Sequence, residues 1–180
     1  GELQLDATNF SMFYPTVYEA PLAYDETRGA VYLNWDSEGL MIDSGLMELV
    51  AEEGLAHGLF AVDIPFRSRP TGVELDLLIG LADSHVRHRA KYLPYTLPPS
   101  LSDWLNRSIL DGAIETGGFI WRGSTRKEAT GHRTLQLFLD VSDASLSYDP
   151  AWPQVDAMDA TVWVDDGRTF GRAATGITAG

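Results

Sequence analysis

No cysteine occurs anywhere in the chain. That excludes disulfides, thiolate metal sites and a cysteine nucleophile, and it leaves the compartment open. Positive charge is scarce. Thirteen Lys and Arg stand against 26 Asp and Glu, a formal net charge of −13 over 180 residues. A surface this acidic repels phosphate backbones, which argues against nucleic acid as a partner and against simple electrostatic docking on anionic lipid. It does not oppose holding lipid by its tails. Long apolar runs are also missing: none approaches the roughly 18 residues of a membrane span. The chain opens on GELQLD with neither an initiator Met nor a signal peptide, and it reads as a mature or excised segment.

What is present is globular in kind, with 44% hydrophobic and 22% charged residues, enough for a substantial core. Alternation with period two dominates. In GVELDLLIGL, Val73, Leu75, Leu77, Ile79 and Leu81 share one face, and Glu74, Asp76 and Gly80 take the other. RTLQLFLDV aligns Leu135, Leu137, Leu139 and Val141, while AMDATVWVDD aligns Met158, Ala160, Val162 and Val164. GAVYLNW does the same with Val31, Leu33 and Trp35, and GLFAVDIPF with Phe60, Val62, Ile64 and Phe66. Each is a strand with one apolar and one wetter face, as in an antiparallel sheet covered on a single side. YDETRG, WDSEG, AEEG, SRPTG and DDGR are hairpin-grade turn signals at short spacing, so the pattern predicts a meander.

One interruption is helical. In LPPSLSDWLNRSILDG, Ser100 is placed to cap and Asp103 lies three residues on, followed by an apolar face of Leu101, Trp104, Leu105 and Ile109, with Gly112 as the stop. Just before it, ADSHVRHRAKYLP predicts a further turn or two, ended by Pro94. STRKEATGHR is a polar loop. No linker divides the chain, so residues 1–180 form a single β-rich domain or a fragment of something longer.

The chain also echoes itself. LQLDATNFSMFY near the start aligns with LFLDVSDASLSY, placing Leu3, Leu5, Asp6, Ser11 and Tyr14 on Leu137, Leu139, Asp140, Ser145 and Tyr148, and Asn9 on Asp143. Pro15 and Pro21 then correspond to Pro150 and Pro153, and an alternating strand follows each pair. Related strand–crossing–strand units therefore lie near residues 2–35 and 136–166, the mark of a unit that stacks to extend one apolar surface.

Catalytic signatures are weak. His85 and His88 are three apart, but Arg87, Arg89 and Lys91 surround them and would repel a cation. His57 is expected to face solvent opposite Phe60, and His132 falls in the polar loop. Adjacent carboxylates such as Glu52–Glu53 and Asp165–Asp166 belong to turns rather than facing each other across a cleft. Asp43–Gly45 is no nucleophile elbow, and Thr116–Phe119 lacks a phosphate-loop lysine. No catalytic residue, metal ligand or cofactor site is assigned, and the chain is expected not to be an enzyme. Of the five tryptophans, Trp104 belongs to the apolar helix face, whereas Trp163, beside Thr161 and Asp165, is the one placed for a surface role such as stacking on sugar.

Two segments, residues 92–123 and 135–167, resemble the large AsmA-like envelope proteins of the YhdP type. The shared pattern is a Tyr-Leu-Pro approach (Tyr92, Leu93, Pro94), a helix with Trp-Leu (Trp104, Leu105), and a strand from Gly112 to Gly123. A long apolar strand follows, Leu135 to Val141, and then an aromatic-Pro-x-Trp-Pro crossing, Tyr148 to Pro153. The resemblance implies a fragment, from a DUF3971-like region, of a longer protein anchored in the inner membrane and lying mainly in the periplasm. It further implies a repeating β-groove of curved antiparallel sheet, phospholipid transport between the two envelope membranes, envelope integrity, and neighbouring β-groove units as partners.

The expected fold is thus mainly β, a strongly twisted antiparallel meander forming a curved, groove-like sheet with one or two short helices. Leu75, Leu77, Ile79, Leu135, Leu137, Leu139, Val162 and Val164 are the expected lining of an apolar groove for phospholipid acyl chains. The alternation would equally serve a β-sandwich whose sheets cover each other, and then an extracytoplasmic module for carbohydrate or a protein partner, or a scaffold unit. Sequence alone leaves a filled core and an open trough equivalent.

Overall fold

The computed structural model describes residues 1–13, 19–92, 99–126, 128–166 and 168–178. The alternating stretches become strands of one antiparallel sheet: β1 (Glu2–Met12), β2 (Leu22–Trp35), β3 (Gly39–Ser44), β4 (Met47–Ala51), β5 (Gly54–Pro65), β6 (Glu74–His85), β7 (Ile109–Ser124), β8 (Arg133–Leu146), β9 (Val155–Asp165), β10 (Arg168–Ala173) and β11 (Ile177–Thr178). Their order is β1-β2-β3-β5-β6-β7-β8-β9-β10, with β4 also between β2 and β5 and β11 on β9. It is the meander the turn signals predict. Among the described residues β1 and β10 do not pair, so the sheet stays open at both edges.

The turns at WDSEG, AEEG, SRPTG and DDGR fall between strands. Asp36 shapes the first, its carboxylate accepting from the backbone N–H of Glu38 at 2.7 Å and of Gly39 at 3.1 Å. YDETRG is different: Tyr24–Gly29 runs straight through β2 and is no turn. Its polar residues are held by neighbours on both sides, because Ala7 and Leu49 both pair with Thr27. Arg28 lies between Asp6, at 3.5 Å, and Glu48, at 3.6 Å. Cross-strand pairing overrides local turn preference there.

Several of the long strands absorb an irregularity. Asn9, Asp83 and Asp143 have φ of 54°, 53° and 50°. Short polar side chains tolerate that left-handed conformation best. The inward set slips by one residue there: Val141 and Ala144 both face inward, and a register shift separates them. Such bulges bend and further twist a sheet.

The two echoing stretches lie in different places, β1 at the edge of the sheet and β8 in its interior between β7 and β9. Leu3 pairs with Val31 as Leu137 pairs with Val164, and Leu5 with Gly29 as Leu139 with Val162. The aligned Asn9 and Asp143 share their left-handed conformation. Tyr14 and Pro15 lie outside the described residues.

Between β6 and β7 the chain makes a helical insertion: a 3-10 turn (Val86–His88), α1 (Arg89–Tyr92) and α2 (Pro99–Ser108). Three expectations are corrected here. Ser100 sits inside α2 instead of capping it. Ile109 begins β7, and Gly112 lies within that strand instead of stopping the helix. The reason is that α2 passes straight into β7, whose pairing with β8 competes for the same residues. Gly112, at φ 144°, is needed because an added Cβ would press on the Ala144 side chain at 3.0 Å. Leu93 and Pro94 lie outside the described residues, as does the side chain of Leu101.

The main buried cluster is small and off-centre: Val86, Ile114, Val141, Ala144 and Ala160 gather where the helical insertion meets the sheet, while Leu22, Tyr24 and Met47 are buried elsewhere. Elsewhere the sheet has no second layer to cover it. A compact chain of this size should expose about 8,600 Å², whereas the accessible surface here is 11509 Å². The excess accords with a single sheet rather than two sheets packed face to face.

Candidate functional site

Residues opposite one another in neighbouring strands point to the same side of a sheet, so the register defines the faces. One row runs Leu77, Trp121, Leu135; the next runs Ile79, Phe119, Leu137, Val164; a third runs Leu81, Gly117, Leu139, Val162. Leu75 sits between Val62 and Gly123 on that side. All eight residues expected to line an apolar face are thus brought to one side of four adjacent strands. Seven are half-buried, and Leu135 is 37% exposed. Phe119 and Trp121 join them and were missed by the strand reading. Their signal is the alternation in GGFIWRG, where glycines take two of the inward positions.

The opposite face is wetter but not uniformly so. Trp163 does not stand alone beside Thr161 and Asp165: its ring centroid is 6.0 Å from that of Phe138, and Phe170 pairs with it across β10. With Leu78 and Ile120 these rings line a cavity of about 490 Å³. Leu78 and Phe170 are 46% and 54% exposed.

The ends of the apolar face differ. At one end the helical insertion lies across it. Val86 enters the core cluster, and α1 reaches over to β2, where the Lys91 ammonium donates to the Ala23 carbonyl at 2.5 Å and sits 4.9 Å from the Tyr24 ring centroid. Lys91 and the Tyr92 hydroxyl both donate to the buried Glu53 carboxylate in the β4–β5 turn. Burial pushes the Glu53 carboxyl up, but the bonds from Lys91 and Tyr92, a backbone N–H and the Lys91 charge outweigh it and hold the group below its ordinary value. Burial and the bond to Glu53 push the Tyr92 phenol well above its ordinary value. On the other side Trp104 of α2 meets Tyr148 edge-on at 5.7 Å, and its indole N–H donates to the Tyr148 carbonyl at 3.2 Å. Tyr148 in turn meets Trp152 at 6.4 Å. The insertion is therefore fastened to both halves of the sheet.

At the other end no helix intervenes. Two loops meet there, β5–β6 and β7–β8, stitched by the Ser124 hydroxyl to the Thr71 carbonyl at 2.5 Å and the Thr125 N–H to the Val73 carbonyl at 2.9 Å. Gly123, at φ 125°, keeps the stitch close, since a Cβ there would collide with the His132 carbonyl.

Two of the histidines make structural contacts. His85 accepts from the Arg87 N–H at 3.2 Å, and its Nε2 lies 3.2 Å from Asp111. His57 lies 3.4 Å from Glu48. Among the described residues no three His, Asp or Glu side chains gather as metal ligands would.

This arrangement, a bent open sheet with one apolar face and the aromatic-Pro-x-Trp-Pro crossing clasped to the Trp-Leu helix, agrees with a family comparison. The model of the YhdP protein family matches residues 1–176. The chain belongs to the YhdP family. No curated protein and no solved structure matches it. Membership in the YhdP family points to an envelope protein of the lipid-transport type. Among the described residues no helix is long and apolar enough to cross a membrane.

Proposed function

We propose that this YhdP-family chain is a non-enzymatic, periplasmic segment of an inner-membrane-anchored, AsmA-like bridge that carries phospholipid between the inner and outer membranes. The acyl chains lie along Leu75, Leu77, Ile79, Leu135, Leu137, Leu139, Val162 and Val164, and neighbouring β-groove units of the longer protein continue the surface at the open edges. The observation that carries this reading is the row structure of that face. Leucine, isoleucine and valine of β6, β8 and β9 share one face with Phe119 and Trp121 of β7. Water against such a surface is costly, and each methylene it shelters is worth about 0.8 kcal/mol. On the order of ten sheltered methylenes hold a lipid reversibly, as a carrier requires. Acidic residues on the outer side keep the sheet soluble.

Lipid extraction followed by thin-layer analysis of the purified chain, or native mass spectrometry, should find phospholipid. Leu137→Asp places a charge in the middle row and should abolish that lipid while leaving the fold intact by circular dichroism. Lipid retained by the folded variant sinks the assignment of this face. A second reading, a binding module for carbohydrate or a protein partner, is favoured by the Phe138–Trp163–Phe170 cavity on the opposite face. Under that reading Trp163→Ala abolishes binding and Leu77→Asp, on the apolar face and outside the cavity lining, does not.

A further inference from the structure

The loops at the uncovered end are unlike the rest of the molecule in charge. Residues 65–73 and 122–133 carry six of the chain's 13 Lys and Arg and one of its 26 Asp and Glu. The neighbouring β2–β3 and β9–β10 turns are acidic, with Asp36, Glu38, Asp165 and Asp166, so it is the β5–β6 and β7–β8 loops that offer cations to an anionic ligand. The structure gathers part of this charge around a cavity of about 320 Å³ lined by Phe66, Arg67, Arg69, Val73, Thr125 and Arg126. These cations are not equally free. Arg69 is neutralised by Asp63 at 2.9 Å, and Arg133 is spent on the Ser124 and Arg126 carbonyls. Arg67 has only a loose contact with Glu38, at 3.7 Å between well-exposed side chains. No carboxylate among the described residues pairs with the guanidinium of Arg126, whose stem lies over Gly72. Lys91 and Arg89 at the helical end contrast with these. Lys91 is locked onto Glu53, and Arg89 donates to the Val86 and Asn106 carbonyls at 3.0 and 3.1 Å.

Two apolar residues of the cavity extend the sequence alternation of β5 and β6 just beyond the strand ends. Val73 lies two residues before Leu75 in the same alternation, and Phe66 two residues beyond Ile64. An anion held by Arg67 and Arg126 would thus have an apolar track leading away from it. A guanidinium binds a phosphodiester through parallel N–H donors, and Thr125 and Ser68 add hydroxyls at the rim.

We infer that this mouth is a headgroup site. Arg67 and Arg126 hold the phosphodiester of an anionic phospholipid while its acyl chains enter the rows beginning at Val73 and Leu75. The site rests on the lipid-carrying reading and adds to it a lipid class and an entry end.

The test titrates the purified chain, at low salt, with three probes read by tryptophan fluorescence: dihexanoyl phosphatidylglycerol, the matched dihexanoylglycerol, and inorganic phosphate. Phosphatidylglycerol should bind about tenfold tighter than the diacylglycerol, an advantage that shrinks in 0.5 M salt. The double variant Arg67→Ala, Arg126→Ala should bring phosphatidylglycerol down to the diacylglycerol level and leave the diacylglycerol unchanged. Arg67→Lys with Arg126→Lys should restore part of the difference. Equal binding of the two lipids by the unaltered chain overturns the headgroup site and leaves the trough standing. So does an unchanged preference in the double alanine variant. Phosphate binding as tight as phosphatidylglycerol reassigns the site to free anions and overturns the lipid assignment. Failure of both lipids to bind takes the trough down as well.

Discussion

Where the chain leaves β6, Lys91 and Tyr92 of the helical insertion are packed onto Glu53 of the β4–β5 turn. Where β5 and β7 end, Arg67 and Arg126 stand around an open cavity. Both regions concentrate basic residues in an acidic chain, yet they use them differently. At the covered end Lys91 and Glu53 are desolvated and matched, so they hold the insertion against β2 and the β4–β5 turn. At the open end Arg67 and Arg126 remain hydrated and loosely partnered, so they contribute little to folding and stay available to a ligand. A charge becomes structural when burial forces it to find a partner, and functional when exposure lets it wait for one.

The largest effect that would break this contrast is at Lys91. Lys91→Met leaves the Glu53 carboxylate buried without its cation and should cost about 2–3 kcal/mol in urea unfolding. Arg126→Ala should change stability by less than about 0.5 kcal/mol. Equal costs would erase the distinction. Next comes Trp104, which loses both its ring contact and its indole hydrogen bond in Trp104→Ala. Thermal unfolding should show a loss of about 2 kcal/mol, against under about 0.5 kcal/mol for Trp152→Ala, whose side chain is 69% exposed. A smaller effect separates the ends by pH. Because the Glu53 carboxyl is held below its ordinary value, its contribution is complete above about pH 4.3 and fades as pH falls through the lower folded-state value. Glu53→Gln should flatten that part of the acid unfolding curve, while Arg67→Ala should leave it unchanged. The smallest change is a gain. Thr27 is fully buried, and its hydroxyl has no partner among the described residues. Thr27→Val should therefore stabilise the covered half by about 1 kcal/mol in the same urea titration.

Much of the sheet was legible because a half-covered strand writes its face in every second residue. The rows of Leu75–Leu81, Leu135–Val141 and Met158–Val164 were readable that way, and so was the echo between β1 and β8. YDETRG misled because its turn-forming residues are held extended by partners on β1 and β4 that are remote or unremarkable in sequence. Gly112 misled for a related reason. A glycine after a helix signals a stop when local geometry decides, but here the close approach of Ala144 decides. Nor does any local pattern join Glu53 to Lys91, 38 residues apart, or show that Trp104 would reach Tyr148.

By itself, the sequence determined the antiparallel meander, the dry side of each strand, the acidic surface and the kinship with YhdP proteins. Those follow from nearest-neighbour chemistry: period-two alternation, turn residues, charge counts and a characteristic order of aromatic and proline residues. Only the tertiary structure decided that the dry sides form one uncovered face, that the insertion lies across one end of it, and that loosely partnered arginines gather at the other. Those depend on register and on where bulges bend the strands, and both arise from contacts between residues far apart in the chain.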